Sequence, residues 1–120
     1  KTLQDQNVSL SVLSNKQDRF VKDIVYKLFP GIFECVRGQT ELPEKPDPSG
    51  AFAVAKELGV SPFECAFVGD SDVDIKTALN AEMKCVGVSW GYRDEECLKA
   101  AGAEYIVREV SSLADVLLSL

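Results

Sequence analysis

The chain has 120 residues, 46% of them hydrophobic and 27% charged, and a formal net charge of −6. That length supports one domain rather than two, and the composition is that of an ordinary globular core rather than a disordered segment. Histidine is absent, which excludes Ser-His-Asp and Cys-His nucleophile systems, His-ligated zinc and an imidazole base. The acidic balance argues against nucleic acid as a partner, and no apolar run approaches the length of a membrane span.

Residues 1–7 are too polar for a signal peptide. A first strand is predicted at 8–13. Phe20, Ile24 and Leu28 recur at i, i+4, i+8 with Val21 and Val25 beside them, which predicts a helix over 17–29 that Pro30-Gly31 stops. A strand at 33–37 precedes an irregular stretch, 38–47, marked by Gly38, Pro43 and Pro46. Asp47 and Pro48 read as the N-cap and first residue of a helix that ends at Gly59. Ser61-Pro62-Phe63-Glu64 has capping-box spacing on a single turn. A buried strand at 65–68 follows, then a helix from Ser71 to about Asn80 and a strand at 84–88. A helix at 94–101 is closed by Gly102, and a short strand lies at 105–107. Leu113, Val116, Leu117 and Leu120 mark a terminal amphipathic helix. Strand and helix alternate throughout, the pattern of an α/β fold with a parallel sheet.

The four cysteines, Cys35, Cys65, Cys85 and Cys97, form no Cys-x-x-Cys pair, so a zinc site is not indicated. Cys65 and Cys85 sit in short apolar runs, where reduced, buried thiols are expected, and with them a cytoplasmic location.

Chemistry concentrates at three strand ends. In Val68-Gly69-Asp70-Ser71-Asp72-Val73-Asp74 an apolar strand ends in Gly-Asp and a helix starts at once. Parallel α/β sheets bind ligands at the carboxyl ends of their strands, so Asp70 stands where a carboxylate can hold a hard cation such as Mg²⁺. The Asp-x-Asp-x-Asp spacing also imitates a calcium loop, but Ile75 replaces the turn glycine and Ala81 the bidentate glutamate. Ser71 with Asp74 equally fits a capping box, a structural use of that carboxylate, and Asp72 is expected to face solvent. In Glu41-Leu42-Pro43-Glu44-Lys45-Pro46-Asp47-Pro48, prolines on both sides of Lys45 stiffen a loop that can hold an ammonium at a fixed point. The plain alternative is a solvated loop lysine. In Leu13-Ser14-Asn15-Lys16, Ser14 or Asn15 either caps the helix at Gln17 or turns a hydroxyl and helix-start amides toward an anion.

Taken in order, Ser14-Asn15-Lys16, Lys45-Pro46-Asp47-Pro48 and Gly69-Asp70-Ser71 through Asp74 resemble the motifs of the haloacid dehalogenase superfamily of phosphohydrolases, most of all its phosphoglycolate phosphatase-like branch. Gly38-Gln39-Thr40 and Val86-Gly87-Val88-Ser89-Trp90-Gly91-Tyr92 agree with it, and the resemblance covers nearly the whole chain. It implies a three-layer, Rossmann-like parallel sheet flanked by helices. It also implies a Mg²⁺-dependent phosphomonoester hydrolase that acts on a small phosphorylated metabolite through an aspartyl-phosphate intermediate. By the resemblance, Ser14 and the Asn15 amide bind the transferring phosphoryl group and Lys45 stabilises the nucleophile and the phosphoryl charge. Asp70 ligates Mg²⁺, and Asp74 is a supporting carboxylate near Lys45 or metal-bound water. Phosphoryl transfer needs positioning and charge neutralisation more than acid–base groups, so a chain without histidine suits it.

The family's first motif, Asp-x-Asp-Gly-Thr/Ser, which supplies the nucleophile and general acid, does not occur in this sequence, and neither does the helical cap inserted after it. Residues 1–120 are therefore expected to be the C-terminal part of the core domain of a longer phosphatase. Its sheet would lack the central first strand and show open edges. The start on Lys1 rather than Met agrees, as do residues 1–7, which read as the end of a helix. The missing N-terminal segment is then the expected partner, and the 120 residues alone are expected to be inactive. A signalling receiver domain also combines an acidic site, a hydroxyl and a lysine, but with the lysine last, whereas Lys45 here precedes Asp70. A non-catalytic binding or scaffold module of the same fold is the other alternative.

Overall fold

The computed structural model describes Leu3 and residues 8–91 and 94–120. The expected helix end at 1–7 lies outside them, apart from Leu3, which is helical. β1 (Ser11–Gln17) and β2 (Cys35–Gln39) pair in parallel, Ser11 opposite Cys35 and Leu13 opposite Arg37, before the register slips and Gln17 meets Gln39. A second parallel sheet holds β3 (Ala66–Gly69), β4 (Lys84–Val88) and β5 (Tyr105–Val107), in that order. The helices between and after them are α1 (Asp18–Leu28), α2 (Ser49–Leu58), α3 (Asp72–Asn80), α4 (Glu95–Ala101) and α5 (Val110–Ser119).

β1 is displaced from the predicted 8–13: residues 8–10 are not strand, and it runs on to Gln17. The Ser14 hydroxyl accepts the Lys16 amide at 3.1 Å, and the slipped register carries the polar residues 14–17 along β2. Neither Ser14 nor Asn15 therefore caps α1. Its N-cap is Gln17, without a side-chain bond. The Asp18 carboxylate instead accepts the Gly38 amide at 2.9 Å. That amide, with help from Lys22, holds the Asp18 carboxyl below its usual range. Gly38 is required here, since a Cβ would lie 2.5 Å from the Lys16 carbonyl oxygen.

The same bond explains which stripe of α1 is buried. Asp18, Val21 and Val25 lie at i, i+3, i+7 and share a face, so anchoring Asp18 on β2 turns Val21 and Val25 inward. Phe20, Ile24 and Leu28, the other apolar stripe of the helix, stay 47%, 44% and 65% exposed.

α2 starts one residue later than predicted. Pro48 is its N-cap, and Asp47 before it accepts the backbone amide of Ser49 at 2.9 Å. Small residues let α2 approach β1: Ala51 and Ala55 are buried, and a Cβ on Gly50 would touch Leu13 Cδ1 at 3.0 Å. Gly59, at φ 75°, closes the helix as expected. Ser61 and Glu64 form the predicted capping box on a 3₁₀ turn, Pro62–Glu64.

Two sides of the second sheet carry the rest of the core. Ile75, Ala78, Cys85 and Leu98 pack between the sheet and α3 and α4. On the opposite face α5 covers Val86, Val88 and Val107 through Leu113, Val116, Leu117 and Leu120. That cover stops short of β3. Ala66 and Val68 are exposed, which corrects the expectation of a fully buried strand, and only Phe67, on the α3 side, reaches the core.

Among the described residues β1 pairs only with β2, and β3 only with β4. Each keeps one free edge. Leu13 of β1 and Phe67 of β3 pack on a shared group, Ala51, Ala55, Ala81 and Met83, which joins the two sheets. The architecture is an α/β fold with an incomplete parallel sheet flanked by helices, as the sequence predicts. No helix of the described residues is long and apolar enough to cross a membrane.

Candidate active site

Lys45 lies between the two sheets. Its Nζ donates to Asp74 Oδ1 at 2.7 Å and to the Leu13 carbonyl at 3.4 Å, and it stands 5.9 Å from the centre of the Phe67 ring. The two charged side chains are only 14% and 13% exposed, so Lys45 is not the solvated loop lysine of the plain alternative. Neighbouring bonds hold its loop. The Asn15 side-chain carbonyl accepts the Lys45 amide at 3.0 Å, and the Asn15 amide group donates to the Lys45 carbonyl at 3.3 Å. Asn80, at the end of α3, donates to the Pro46 carbonyl at 3.0 Å. The Lys45–Pro46 peptide bond is cis.

Asp74 bonds through both its amide and its carboxylate, and only the amide makes a capping-box contact. Ser71 is the N-cap of α3, and its hydroxyl accepts the Asp74 amide at 3.3 Å. The Asp74 carboxylate does not return to Ser71. Oδ1 takes Lys45, and Oδ2 accepts the Asp70 amide at 3.1 Å. Close approach of α3 to the end of β3 makes this possible, because Gly69 presents no side chain: a Cβ there would lie 2.1 Å from Asp74 Cβ.

Asp70 is half-buried at the carboxyl end of β3, with the loop after β4 running against it at Gly91. Asp72 is half-buried and engaged rather than turned to solvent. Mg²⁺ takes one or two carboxylates and keeps several waters. Asp70, next to a carboxylate already committed to Lys45, suits that habit. Among the described residues no group of three or more acidic or thiol side chains forms a complete cation cage.

The structure thus brings Lys45, Asn15, Asp74 and Asp70 together, and Ser14, within β1, lines a small hollow with Asn15 and Lys45. The Ser14 hydroxyl accepts the Lys16 amide and keeps its own proton to donate. The Asn15 side chain bonds both ends of the Lys45 backbone unit. The sequence marks Asn80 only as a helix end and Gly91 only as part of the segment 86–92, and neither as a site residue. Neither leaves a spacing signal, one being a lone helix-end amide and the other a missing side chain. The thiols take no part. All four are free, and burial pushes Cys65 and Cys85 up and Cys35 up to about 11. Cys85 is buried as expected, whereas Cys65 is half-buried. A cavity of about 270 Å³ between α1 and β2, lined by Lys22, Tyr26 and Arg37, lies apart from these residues.

Comparison with known proteins agrees with this geometry. A family model described as haloacid dehalogenase-like hydrolase matches residues 1–88. A phosphoglycolate phosphatase of Pseudomonas fluorescens is 39% identical over 94 residues, covering 77% of this chain and 35% of the relative. One of Pseudomonas putida is 32% identical over 113 residues, covering 92% and 42%. Among solved structures, a protein of Lactobacillus delbrueckii subsp. bulgaricus assigned as a phosphoglycolate phosphatase superposes with a TM-score of 0.92 at 37% identity, over 96% of this chain and 48% of that one. A predicted phosphatase of Clostridium acetobutylicum gives 0.90 at 27% identity, over 99% and 56%. The chain therefore spans less than half the length of these curated relatives and about half that of the solved ones. With strand ends, ion pair and family model in agreement, the chain belongs to the haloacid dehalogenase-like hydrolases.

Proposed function

We propose that residues 1–120 are the C-terminal part of the core domain of a phosphomonoester hydrolase of the phosphoglycolate phosphatase type, carrying its second, third and fourth motifs. The observation that carries this reading is the sheltered Lys45–Asp74 pair, which links the Leu13 carbonyl of β1 to the Asp70 amide at the end of β3. Asp74 and the Asn15 clamp hold the Lys45 ammonium at one point, so it meets a phosphoryl oxygen without reorganising. A preorganised charge of that kind is worth about 10²–10³ in rate. The Ser14 hydroxyl donates to the same phosphoryl group. A Mg²⁺ ion held by Asp70 would supply further charge neutralisation.

The nucleophile in this reading is an aspartate outside residues 1–120, transferring the phosphoryl group through an aspartyl-phosphate. The free edges of β1 and β3 support a place for its strand, which makes the missing N-terminal segment the chain's own partner. The substrate is a small phosphorylated metabolite. The four free thiols support a cytoplasmic location.

The test is phosphate release from phosphoglycolate and from p-nitrophenyl phosphate by the full-length protein. Asp70→Asn is expected to remove most Mg²⁺-dependent turnover, and normal turnover in that variant refutes the assignment. The 120-residue chain alone is expected to release no phosphate. Asp70-dependent hydrolysis by it would show that the nucleophile lies within residues 1–120.

A further inference from the structure

After β4 the chain continues through Ser89, Trp90 and Gly91 and passes the carboxyl end of β3. A Cβ built on Gly91 would lie 2.2 Å from Asp70 Oδ2, 2.5 Å from Asp70 Cβ and 2.8 Å from Asp70 Cγ. Its three nearest atoms all belong to that one residue. The glycine is not there for backbone freedom, because Gly31, Gly59 and Gly102 are the described glycines with positive φ. Space is the remaining reason. Rotating the Asp70 side chain clears Oδ2 but not Cβ, which moves only with the backbone of the β3–α3 turn. An alanine at 91 therefore forces Asp70 and the loop at Gly91 apart by about 1 Å before ordinary contact at 3.4 Å is restored.

A shift of that size matters for the carboxylate in question. Mg²⁺ and Mn²⁺ sites tolerate little error in ligand position, and functional groups must be held within about 0.5 Å of their productive geometry. We propose that Gly91 is a positioning residue for Asp70: its bare Cα is the wall against which the carboxylate rests, so the loop after β4 sets how Asp70 meets a divalent cation. The cation part rests on the phosphatase reading, whereas the contact stands without it. Other glycines have different partners. A Cβ on Gly69 meets Asp74, and one on Gly87 meets Ile106 and Leu98 at 3.2 Å, in the core.

The experiment uses the full chain and two readouts. The first is thermal unfolding without metal, for Gly91→Ala alone and in an Asp70→Gly background, which removes all three clashing atoms. Gly91→Ala is expected to lower the midpoint by about 4–8 °C, and the loss is expected to shrink to about 1 °C with Asp70→Gly. Equal losses in both backgrounds overturn the contact. The second readout is Mn²⁺ binding, followed by electron paramagnetic resonance and by emission of Trp90, the chain's single tryptophan and 42% exposed. Gly91→Ala is expected to weaken binding by about tenfold or more, the loss expected of a misplaced ligand. Gly87→Ala is expected to cost stability and leave Mn²⁺ affinity unchanged. Unchanged affinity in Gly91→Ala, where Asp70→Asn abolishes binding, overturns the positioning role. If Asp70→Asn leaves Mn²⁺ binding intact, the cation assignment itself falls, independently of the unfolding cycle.

Discussion

Replacing Lys45 with methionine keeps an unbranched apolar stem beside Phe67 and removes the ammonium. The Asp74 carboxylate then stays 13% exposed with the Asp70 amide as its remaining donor. Removing one partner of a buried pair costs about 3–5 kcal/mol, because an uncompensated charge is left behind. Residual exposure and the surviving hydrogen bond bring the expectation here to about 2–3 kcal/mol. An unfolding entropy of about 2.1 cal/mol/K per residue gives about 0.25 kcal/mol per degree at this chain length, so Tm should fall by about 8–12 °C. Asp74→Asn removes the charge but keeps an acceptor for Asp70, and the double variant leaves no orphaned ion. The coupling between the two sites should be about 1.5–2 kcal/mol by urea titration with circular dichroism. A coupling below about 0.5 kcal/mol refutes the claim that the pair is desolvated and mutually dependent.

Asn15→Ala should cost about 1–2 kcal/mol, since it deletes both bonds to the Lys45 peptide. In the full-length protein it should lower kcat more than it raises KM, because the loop still closes through Asn80 but the ammonium is no longer fixed; an unchanged kcat contradicts the clamp. Glu95, bonded by Arg108 and then Lys99, is held at about 2 against an ordinary 4.5. A lowered carboxyl pKa means the unfolded chain takes up the proton first, so this contribution is present above pH 4.5 and is lost as pH falls toward about 2. The Glu95 carboxyl carbon should titrate near 2 by NMR, and a midpoint at its ordinary value removes the bidentate contact from the solution structure. Glu95→Gln should flatten the acid limb of the stability curve over the same interval.

Elements were legible where periodicity and breakers agreed. β4, β5 and α4 fall within one residue of their predicted bounds, because Gly102 and the short valine-rich runs leave one reading each. α1 also falls within one residue of its predicted bounds, but it carries two apolar stripes, and which one is buried depends on the Gly38 amide of β2 that Asp18 accepts. No local pattern contains that bond. β3 looked buried from its composition, but burial also depends on what covers both faces, and α5 does not extend over Val68. At the site, Lys45, Asp70 and Asp74 were visible as charges beside rigid or turning backbone. What each one touches was not. Asn15 has four hydrogen-bonding positions, and its use on Lys45 depends on the loop returning from 30 residues away.

In the acidic motif the helix cap and the ion pair share one residue, Asp74. Capping by Ser71 fixes the first turn of α3, and that turn places Asp74 four residues after Asp70, close enough for its carboxylate to take the Asp70 amide. The same carboxylate reaches Lys45, so a bond that begins as local helix chemistry also ties the end of β3 to a loop attached to β1. The tie crosses the gap between the two sheets, where no backbone ladder among the described residues joins them. Removing Ser71's hydroxyl should therefore do more than loosen a helix end, which alone costs about 1 kcal/mol. Ser71→Ala should also weaken the Lys45–Asp74 coupling in the double-mutant cycle. If that coupling is unchanged while the cap energy is lost, the cap and the ion pair are independent, and the helix start contributes to the site only by proximity.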